Sequence, residues 1–441
     1  MEGSSQMENV QHIIGVMDPN SISFRYGFEQ LVAHYAPTIE YEGRVHHIKT
    51  RRIISRPYNT LGARSTCRAI LNRGAHWNPH HNSFYMMIMH QVYLLNDMIS
   101  FKAIDKNTAY GHMYSLGMQI PPTWAIPQFD NTELKESDTV DPELVFDDYE
   151  MFDLAKIGET VGYPAFLKPQ DGGGWVGVTK VTNKEELIKA YHESGAKPMN
   201  LQKAVDYREF VRTVGIGPQM MPMHYNAAAE FSHDRYTRNE RQAVAFNWLK
   251  PEEFDEVKKM TKVINAFYNW DHNSCETLIA KDTGLCHPID FANAYPDSKV
   301  VSLHFFFPEL VKSMVRWLLF VVITGKKKQT DFTYLWPRFF AIRDKAKQEG
   351  WTWKQALDAY AKIADEHFHT EEFHDFIAKH MQDFEEKAYE WFAGPSFDSI
   401  LENEITKHFK IAAERPKKLA HYRGIHQFWL KCERERLGIK A

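Results

Sequence analysis

The chain has 441 residues, of which 44% are hydrophobic and 14% are aromatic, enough for packed cores in about three domains. A formal net charge of −4 argues against a nucleic acid or an anionic membrane as a partner, because both attract basic surfaces. Four scattered cysteines lack the spacing of a metal or redox pair, so we expect free thiols and a cytoplasmic location.

The N-terminal part has the pattern of alternating strands and helices. Residues 13–17 predict a short buried strand, residues 26–35 a helix, residues 47–55 a second strand and residues 82–96 another helix. We therefore expect an N-terminal α/β domain over residues 1–115.

The segment 73–81, RGAHWNPHH, is dense in cationic and aromatic groups. An arginine can hold a carboxylate through two hydrogen bonds, so we predict that Arg73, together with His76, contacts an acidic substrate. For each of these residues a solvated loop position remains the alternative.

Residues 163–181, YPAFLKPQDGGGWVGVTKV, form the most informative stretch of the chain. A strand runs into Lys168, glycines follow, and valines begin a second strand. A dinucleotide fingerprint needs a helix directly after its glycines, and a Walker loop must end in Gly-Lys-Ser/Thr, so neither fits. Two interpretations stay open, a glycine hairpin that closes over phosphate and a plain hairpin with a glycine-rich turn.

The remaining elements follow from periodicity and capping. Asp105 and Asn183 predict the first turns of helices, and residues 128–148 form a surface connection. Residues 242–248 predict a strand. From residue 308 onward the pattern is helical, with one helix over residues 373–391 capped by Thr370. The apolar run 310–324 contains Lys312 and Arg316, so a buried or amphipathic helix is favoured over a membrane span.

Separated polar residues suggest one site for nucleotide and metal. Lys106 and Lys168 can neutralise phosphates, and residues 202–205 offer main-chain groups to an adenine edge. Glu209 can accept from ribose hydroxyls. Three residues supply the hard oxygen ligands that magnesium prefers: Glu276, Asp290 and Asn293.

At these residues the chain resembles the ATP-grasp superfamily, and within it the ligases related to glutathione synthetases and ribosomal-protein glutamate ligases. The resemblance covers about residues 105–297. It implies an α/β ATP-grasp fold with an N-terminal α/β domain and a helical C-terminal extension. The implied boundaries are 116–205 for the small subdomain with the glycine-rich loop, 206–325 for the metal-binding subdomain and 326–441 for the helical module.

The resemblance also implies a role for each matching residue. Phosphates would be bound by Lys106, Lys168, Gly173 and Gly174, adenine by Gln202, Lys203 and Val205, ribose by Glu209, and metal by Glu276, Asp290 and Asn293. Arg238 and Arg235 would join Lys168 at the transferred phosphate. Two departures stand out: the second metal motif is Asp290-Phe-Ala-Asn293 where the family has Glu-x-Asn, and the helical module has no recognised counterpart.

The implied reaction is an ATP- and Mg²⁺-dependent joining of a carboxylate to an amine through an acyl phosphate, with Mn²⁺ as the alternative metal. Expected partners are small-molecule or peptide carboxylate and amine substrates, with no nucleic acid and no membrane, and a homo-oligomer stays open. Two other functions remain: a non-catalytic ATP-binding regulator or scaffold with the same fold, and a phosphotransferase that forms no amide.

Overall fold

The computed structural model describes residues 7–19, 21–74, 77–96, 98–130, 152–231, 234–236 and 248–440. The chain forms two compact units. The larger unit comprises Met1–Lys102, Arg212–Ser274 and Asn293–Ala441, and the smaller comprises Ala103–Val211 and Cys275–Ala292. The four sequence-based domain boundaries stay predictions, as do the surface connection 128–148 and the strand 242–248, which fall largely outside the described residues.

The larger unit contains a five-stranded sheet ordered β2-β3-β1-β4-β5. Its strands are β1 (Glu8–Met17), β2 (Thr38–Tyr41), β3 (Arg44–Arg52), β4 (Ala69–Asn72) and β5 (Tyr93–Leu94). β1 lies parallel to both β3 and β4, and its buried Ile14 and Val16 contribute to the core. Because β1, β3 and β4 run parallel, their carboxyl ends lie at the same edge of the sheet. The loops that follow these three strands begin at that edge, where ligands commonly bind in open α/β sheets.

Two helices accompany this sheet, α1 (Ile22–Tyr35) and α2 (Pro79–Ile88). The predicted helix over residues 82–96 was wrong in its second half, because α2 ends at Ile88 and Tyr93–Leu94 pairs with β4. Leu94 lies in the same buried cluster as Ile70 of β4, so packing on the sheet decides the conformation of this apolar stretch.

The smaller unit contains an antiparallel sheet ordered β6-β9-β7-β8. Its strands are β6 (Thr123–Ile126), β7 (Ala165–Pro169), β8 (Thr179–Val181) and β9 (Met199–Lys203), and its helices are Leu154–Val161, Lys184–His192 and Lys106–Ser115. The side chains of Leu167, Val181 and Leu201 are fully buried and form a core with Leu187 of the second helix. The predicted caps are confirmed, since Asp105 accepts from Thr108 N and Asn183 from Glu186 N.

A third sheet has the order β11-β10-β12-β13. Its strands are β10 (Tyr207–Ile216), β11 (Gln219–His224), β12 (His272–Ala280) and β13 (Cys286–Asp290), and the helix Pro251–Phe267 precedes β12. The chain passes from one unit to the other within β10 and within β12.

The rest of the larger unit is helical, which confirms the predicted C-terminal extension and, with the sheets, the α/β class. The helices are Val300–Leu303, Phe307–Ile323, Trp336–Glu349, Trp353–His367, Thr370–His380, Phe384–Ala393, Pro395–His408 and Arg415–Leu437. The helix Phe307–Ile323 is buried on nearly every face, as the apolar run predicted. Within the described ranges, no helix is both long and apolar enough to cross a membrane.

The single helix predicted over residues 373–391 was wrong. The chain breaks at Met381 into two helices, and the cap before the first is His369 with a left-handed φ of 50°, whereas Thr370 is already helical. Thr370 Oγ1 instead donates to Asp365 at 2.7 Å. The break lets both apolar faces reach the core, since Phe373, Phe376 and Phe384 are all buried.

Candidate functional site

The glycine loop lies between β7 and β8 in the predicted order of strand, loop and strand. Residues 171–177 are exposed. Gly172 and Gly174 adopt positive φ values of 104° and 69°. Residues other than glycine rarely adopt these values, because their Cβ atom clashes with the backbone. Open space lies where a side chain would project from Gly173 or Gly174, so a ligand can approach this side of the loop.

Lys168 is the next-to-last residue of β7, the strand that leads into this loop, and it is only 9% exposed. Its ammonium group donates to Tyr110 Oη at 2.8 Å, to Gln202 Oε1 at 2.8 Å and to the Ile289 carbonyl at 3.0 Å. All three protons of the ammonium therefore have acceptors, which is what a buried charge requires.

The pKa of Lys168 is lowered to about 8, chiefly because burial removes water from the ammonium group. The neighbouring charge of Lys106 lowers it further, whereas the carboxylates of Asp290 and Glu276 oppose the shift. Lys168 is thus a cation poised near neutral pH whose charge a bound anion would stabilise.

Lys106 begins the helix Lys106–Ser115 and reaches toward the same place. Its Nζ donates to the Gly172 carbonyl and lies 3.8 Å from Asp290 Oδ2. The helix is fixed at this end because its cap Asp105 also accepts from Gln170 Nε2 at 2.6 Å. The two predicted phosphate lysines and the glycine loop are therefore brought together within the smaller unit.

Glu276 and Asp290 lie directly opposite each other on β12 and β13, next to a register shift between Glu276 and Thr277. Two carboxylates facing each other supply the hard oxygen donors that Mg²⁺ prefers, with the remaining positions left to phosphate and water oxygens. Among the described residues no group of three or more His, Cys, Asp or Glu side chains could hold a metal by itself. The donor pair accordingly fits a magnesium ion that is shared with a phosphate ligand.

Asn293, the third predicted metal ligand, belongs to the larger unit. Its Nδ2 donates to Ser274 Oγ at 2.9 Å, and its backbone NH donates to Asn273 Oδ1 at 3.0 Å. The amide oxygen is thereby oriented by two fixed neighbours on β12. Its role at a metal stays a prediction.

The predicted adenine segment lies at the end of β9. Gln202 is buried, where Oε1 accepts from Lys168 and Nε2 donates to Thr123 Oγ1 at 2.9 Å. Lys203 Nζ donates to the Tyr163 carbonyl at 2.7 Å, and the backbone NH groups of Lys203 and Ala204 donate to carbonyls of neighbouring segments. Val205 and Glu209 follow, both half-buried. Their nucleotide roles stay predictions.

Arg73 and Arg235, two of the cationic residues predicted outside this cluster, belong to the larger unit. Arg235 donates to Tyr225 Oη at 3.0 Å and its carbonyl accepts from Asn226 N, so it is held in a local turn. Arg238 and His76 lie outside the described residues.

Arg73 is only 5% exposed, and each of its three guanidinium nitrogens has a partner. Nε lies 2.8 Å from Asp18 Oδ2, Nη1 is 3.2 Å from His272 Nδ1 and Nη2 donates to the Pro296 carbonyl at 2.6 Å. This geometry favours a structural role over contact with a substrate carboxylate.

Tyr110 is the residue of this site that the sequence analysis missed. Its hydroxyl accepts from Lys168 and donates to the Ile289 carbonyl at 2.6 Å, and its ring lies 5.2 Å from the ammonium. Burial and the nearby Asp290 and Glu276 carboxylates raise its pKa well above the usual value, so the phenol stays protonated. The available signal was its position four residues after Lys106, on the same face of one helix.

Comparison with known proteins gives one family match. The family described as "D-ala D-ala ligase C-terminus" matches residues 142–210, the segment that contains Lys168 and the glycine loop. The D-alanine–D-alanine ligase of Synechococcus sp. (strain WH7803) is 36% identical over 58 residues, which are 13% of this chain. The match spans only 16% of that relative's length. These findings confirm the resemblance to ATP-grasp ligases in this segment.

Solved structures give more distant likenesses. D-alanyl-alanine synthetase A from Vibrio cholerae O1 biovar eltor str. N16961 is 12% identical with a TM-score of 0.47, over 73% of this chain and 98% of that one. The macrocyclase MdnC from Microcystis aeruginosa MRC, bound with the precursor peptide MdnA, is 13% identical with a TM-score of 0.44, over 72% of this chain and 100% of that one.

Proposed function

We propose that this protein, which resembles ATP-grasp ligases through residues 142–210, is an ATP- and Mg²⁺-dependent ligase that joins a carboxylate to an amine through an acyl phosphate. The observation that carries the proposal is the cluster in which Lys106, the glycine loop and the carboxylate of Asp290 meet. Buried Lys168 supports it, since its pKa responds to the charges of Lys106, Asp290 and Glu276.

In this proposal the lysines, the glycine loop and the carboxylates of the cluster each have a separate role in phosphoryl transfer. Lys168 and Lys106 offset the negative charge of the phosphates and hold them in place. The exposed amides of the glycine loop can fold over the phosphates and limit the access of water, which would hydrolyse an acyl phosphate. Glu276 and Asp290 would hold Mg²⁺, which would neutralise charge on the transferring phosphoryl group when bound.

Tyr110 is a positioning residue in this proposal. Its hydroxyl bridges Lys168 and the Ile289 carbonyl, which is the peptide group directly before Asp290. The phenol therefore couples the orientation of the phosphate lysine to the strand end that carries the metal ligand. Because the phenol is protonated, it can accept from the lysine and donate to the carbonyl at the same time.

Covalent catalysis by a cysteine is not part of the proposal. All four cysteines are free, and Cys67, Cys275 and Cys286 are buried. Burial also raises the pKa of the Cys67 thiol, which disfavours the nucleophilic thiolate. Four free thiols support the proposed cytoplasmic location.

The substrates follow from the proposed chemistry as one carboxylate and one amine, either small molecules or ends of a peptide. The name of the Synechococcus relative makes D-alanine the first candidate, because it would serve as both acid and amine. The test incubates the protein with Mg-ATP and D-alanine, and then with pools of acids and amines, and measures ADP release and amide formation. ADP release that depends on both an acid and an amine supports the ligase. The proposal is contradicted if ADP is released without formation of an amide and at a rate that does not depend on the amine.

A further inference from the structure

A cavity lies within the larger unit, and all of its described lining residues belong to the N-terminal part of that unit. It has a volume of about 540 Å³, within the range of roughly 300 to 1,000 Å³ that small-molecule sites occupy. Met17, the last residue of β1, and Arg52, the last residue of β3, both line it. The cavity thus lies at the carboxyl edge of parallel strands, where open α/β sheets place their ligands.

Arg25 supplies the buried positive charge of this cavity. It lies in the first turn of α1, its side chain lines the cavity, and the residue is only 8% exposed. Its Nε is buried and has no hydrogen-bond partner in the described part of the chain. A buried guanidinium donor without an acceptor is costly, and an anionic ligand would satisfy it.

Two acids bear on the charge of the cavity. Asp18 is the only acid among the described lining residues, and both of its oxygens are engaged: Oδ2 by Arg73 at 2.8 Å and Oδ1 by Ser21 N at 2.9 Å. Glu29, one turn after Arg25 on α1, interacts electrostatically with Arg25 and with Arg52, the exposed cation at the end of β3, but burial raises its pKa and so favours the neutral acid. The lining itself therefore offers two guanidinium groups against one carboxylate that Arg73 already pairs.

His81, in the first turn of α2, adds hydrogen-bonding capacity to the lining of the cavity. Its Nε2 lies 3.2 Å from Ser55 Oγ, and its buried Nδ1 has no described partner. The N-termini of α1 and α2 also favour negative charge through their dipoles.

The walls beyond these polar groups are apolar. Val16, Met17, Ile53, Ile54 and Trp77 line the cavity. The Ile54 and Trp77 side chains are 59% and 60% exposed, so apolar surface is left open to solvent next to the cations. A ligand that matches this surface has an apolar body as well as an anionic group.

We propose that this cavity binds a small organic acid, with its carboxylate at Arg25 and Arg52 and its apolar body against Ile53, Ile54 and Trp77. The site does not include Lys106, Lys168, the glycine loop or Asp290, and binding to it requires neither ATP nor turnover. Its failure is therefore distinguishable from a failure of the proposed ligase activity.

Calorimetry on the full chain without nucleotide tests the proposal with hexanoate, phenylacetate, acetate, inorganic phosphate and hexylamine as probes. We expect hexanoate or phenylacetate to bind at least tenfold more tightly than acetate or phosphate, and hexylamine not to bind. Arg25→Met is expected to weaken that binding at least tenfold. Arg44→Met is the matched control, because Arg44 begins the strand that Arg52 ends and is exposed on the surface.

Arg52→Met and Trp77→Ala keep the proposal testable if Arg25→Met does not fold, because both side chains are exposed. Each is expected to weaken binding of the tighter organic acid at least threefold while leaving the melting temperature unchanged. Absence of binding by both organic acids, phosphate binding tighter than theirs, or unaltered affinity in the Arg25 and Arg52 variants overturns the proposal.

Discussion

Lys168 Nζ lies 2.8 Å from Gln202 Oε1, so the lysine near the end of β7 and the residue near the end of β9 share one buried hydrogen bond. The two strands are antiparallel neighbours, with Lys168 opposite Asn200 in the register. The predicted phosphate-binding and adenine-binding segments, which are separate in sequence, are thereby joined by one contact. Disturbing Lys168 should affect how the whole nucleotide binds.

Replacement of Lys168 by methionine tests this cluster most directly. Lys168→Met removes the charge and three hydrogen bonds, so we expect Mg-ATP affinity in calorimetry to fall at least tenfold, about 1.4 kcal/mol. Lys189→Met, on the exposed face of the helix Lys184–His192, is the control and should bind as wild type does. Wild-type affinity in the Lys168 variant would refute the phosphate role.

The lowered pKa of Lys168 predicts how nucleotide binding depends on pH. The lysine is charged below a pKa of about 8 and neutral above it, and a bound phosphate favours the charged form. We therefore expect the dissociation constant of Mg-ATP to rise by about tenfold between pH 7 and pH 9.5, and this rise to vanish in Lys168→Met. An equally steep rise in the variant would assign the titration to another group.

As the pH rises, ATP binding should weaken, but the stability of the unliganded protein relative to Lys168→Met should increase. The folded pKa of Lys168 lies below the unfolded value of 10.5, so between about pH 8 and 10.5 the unfolded chain binds more protons. Stability relative to Lys168→Met should accordingly rise with pH across this window, by on the order of 2 kcal/mol. Urea unfolding of both proteins at pH 7, 8.5 and 10 measures it, and a constant difference would contradict the pKa shift.

Asp290 is expected to matter more for turnover than for nucleotide binding. Asp290→Asn preserves the size of the side chain but removes one of the two opposed carboxylates, so the metal would be held by Glu276 with weaker support. We expect ADP release with a productive acid and amine to fall at least a hundredfold, with a smaller change in ATP affinity. Asp282→Asn in the exposed turn after β12 is the control. If ADP release fell equally in Asp290→Asn and in Asp282→Asn, Asp290 would not be a metal ligand.

Arg73 is expected to act on stability. Arg73→Ala leaves the buried Asp18 carboxylate without its guanidinium partner, and breaking such a pair costs about 3 to 5 kcal/mol. Urea unfolding should show this loss, and Arg73→Lys should recover part of it. A folded Arg73→Ala variant of normal stability, with an impaired apparent KM for the acid alone, would instead restore Arg73 as a substrate contact.

Lys312 is expected to stabilise the helical part of the larger unit. It is 1% exposed and lies within ion-pair distance of Glu309, Glu385 and Glu433. Lys312→Met should cost about 3 to 5 kcal/mol, because three carboxylates lose a shared cation. Lys347→Met, on an exposed helical surface, is the control.

The same ion cluster should make the fold sensitive to acid. Burial by itself raises the pKa of Glu433, but hydrogen bonds from Arg436 and the charge of Lys312 hold the pKa below its usual value of 4.5. A carboxylate with a depressed folded pKa contributes stability above 4.5 and loses it as the pH falls. Wild type should therefore lose more stability than Lys312→Met between pH 5 and pH 3, and parallel loss would contradict this.

Local chemistry was sufficient to predict the elements whose signals lie within a few residues. Asp105 and Asn183 cap helices because their short polar side chains reach backbone amides three residues away, whatever the rest of the chain does. The glycine loop follows β7 because its left-handed glycines suit no regular element. The apolar run 310–324 forms a buried helix, which its composition also predicted because so few of its residues are polar.

Only the tertiary structure decided which polar residues meet. Arg73 and Arg25 are both arginines in an N-terminal α/β segment, yet the first pairs with a buried carboxylate and the second has an unsatisfied donor beside a cavity. Tyr110 joins Lys168 only because helix and sheet pack together. The break at Met381 likewise follows from packing both helical faces on one core. Sequence periodicity specifies which face of an element is buried, whereas the partner across that face depends on long-range packing.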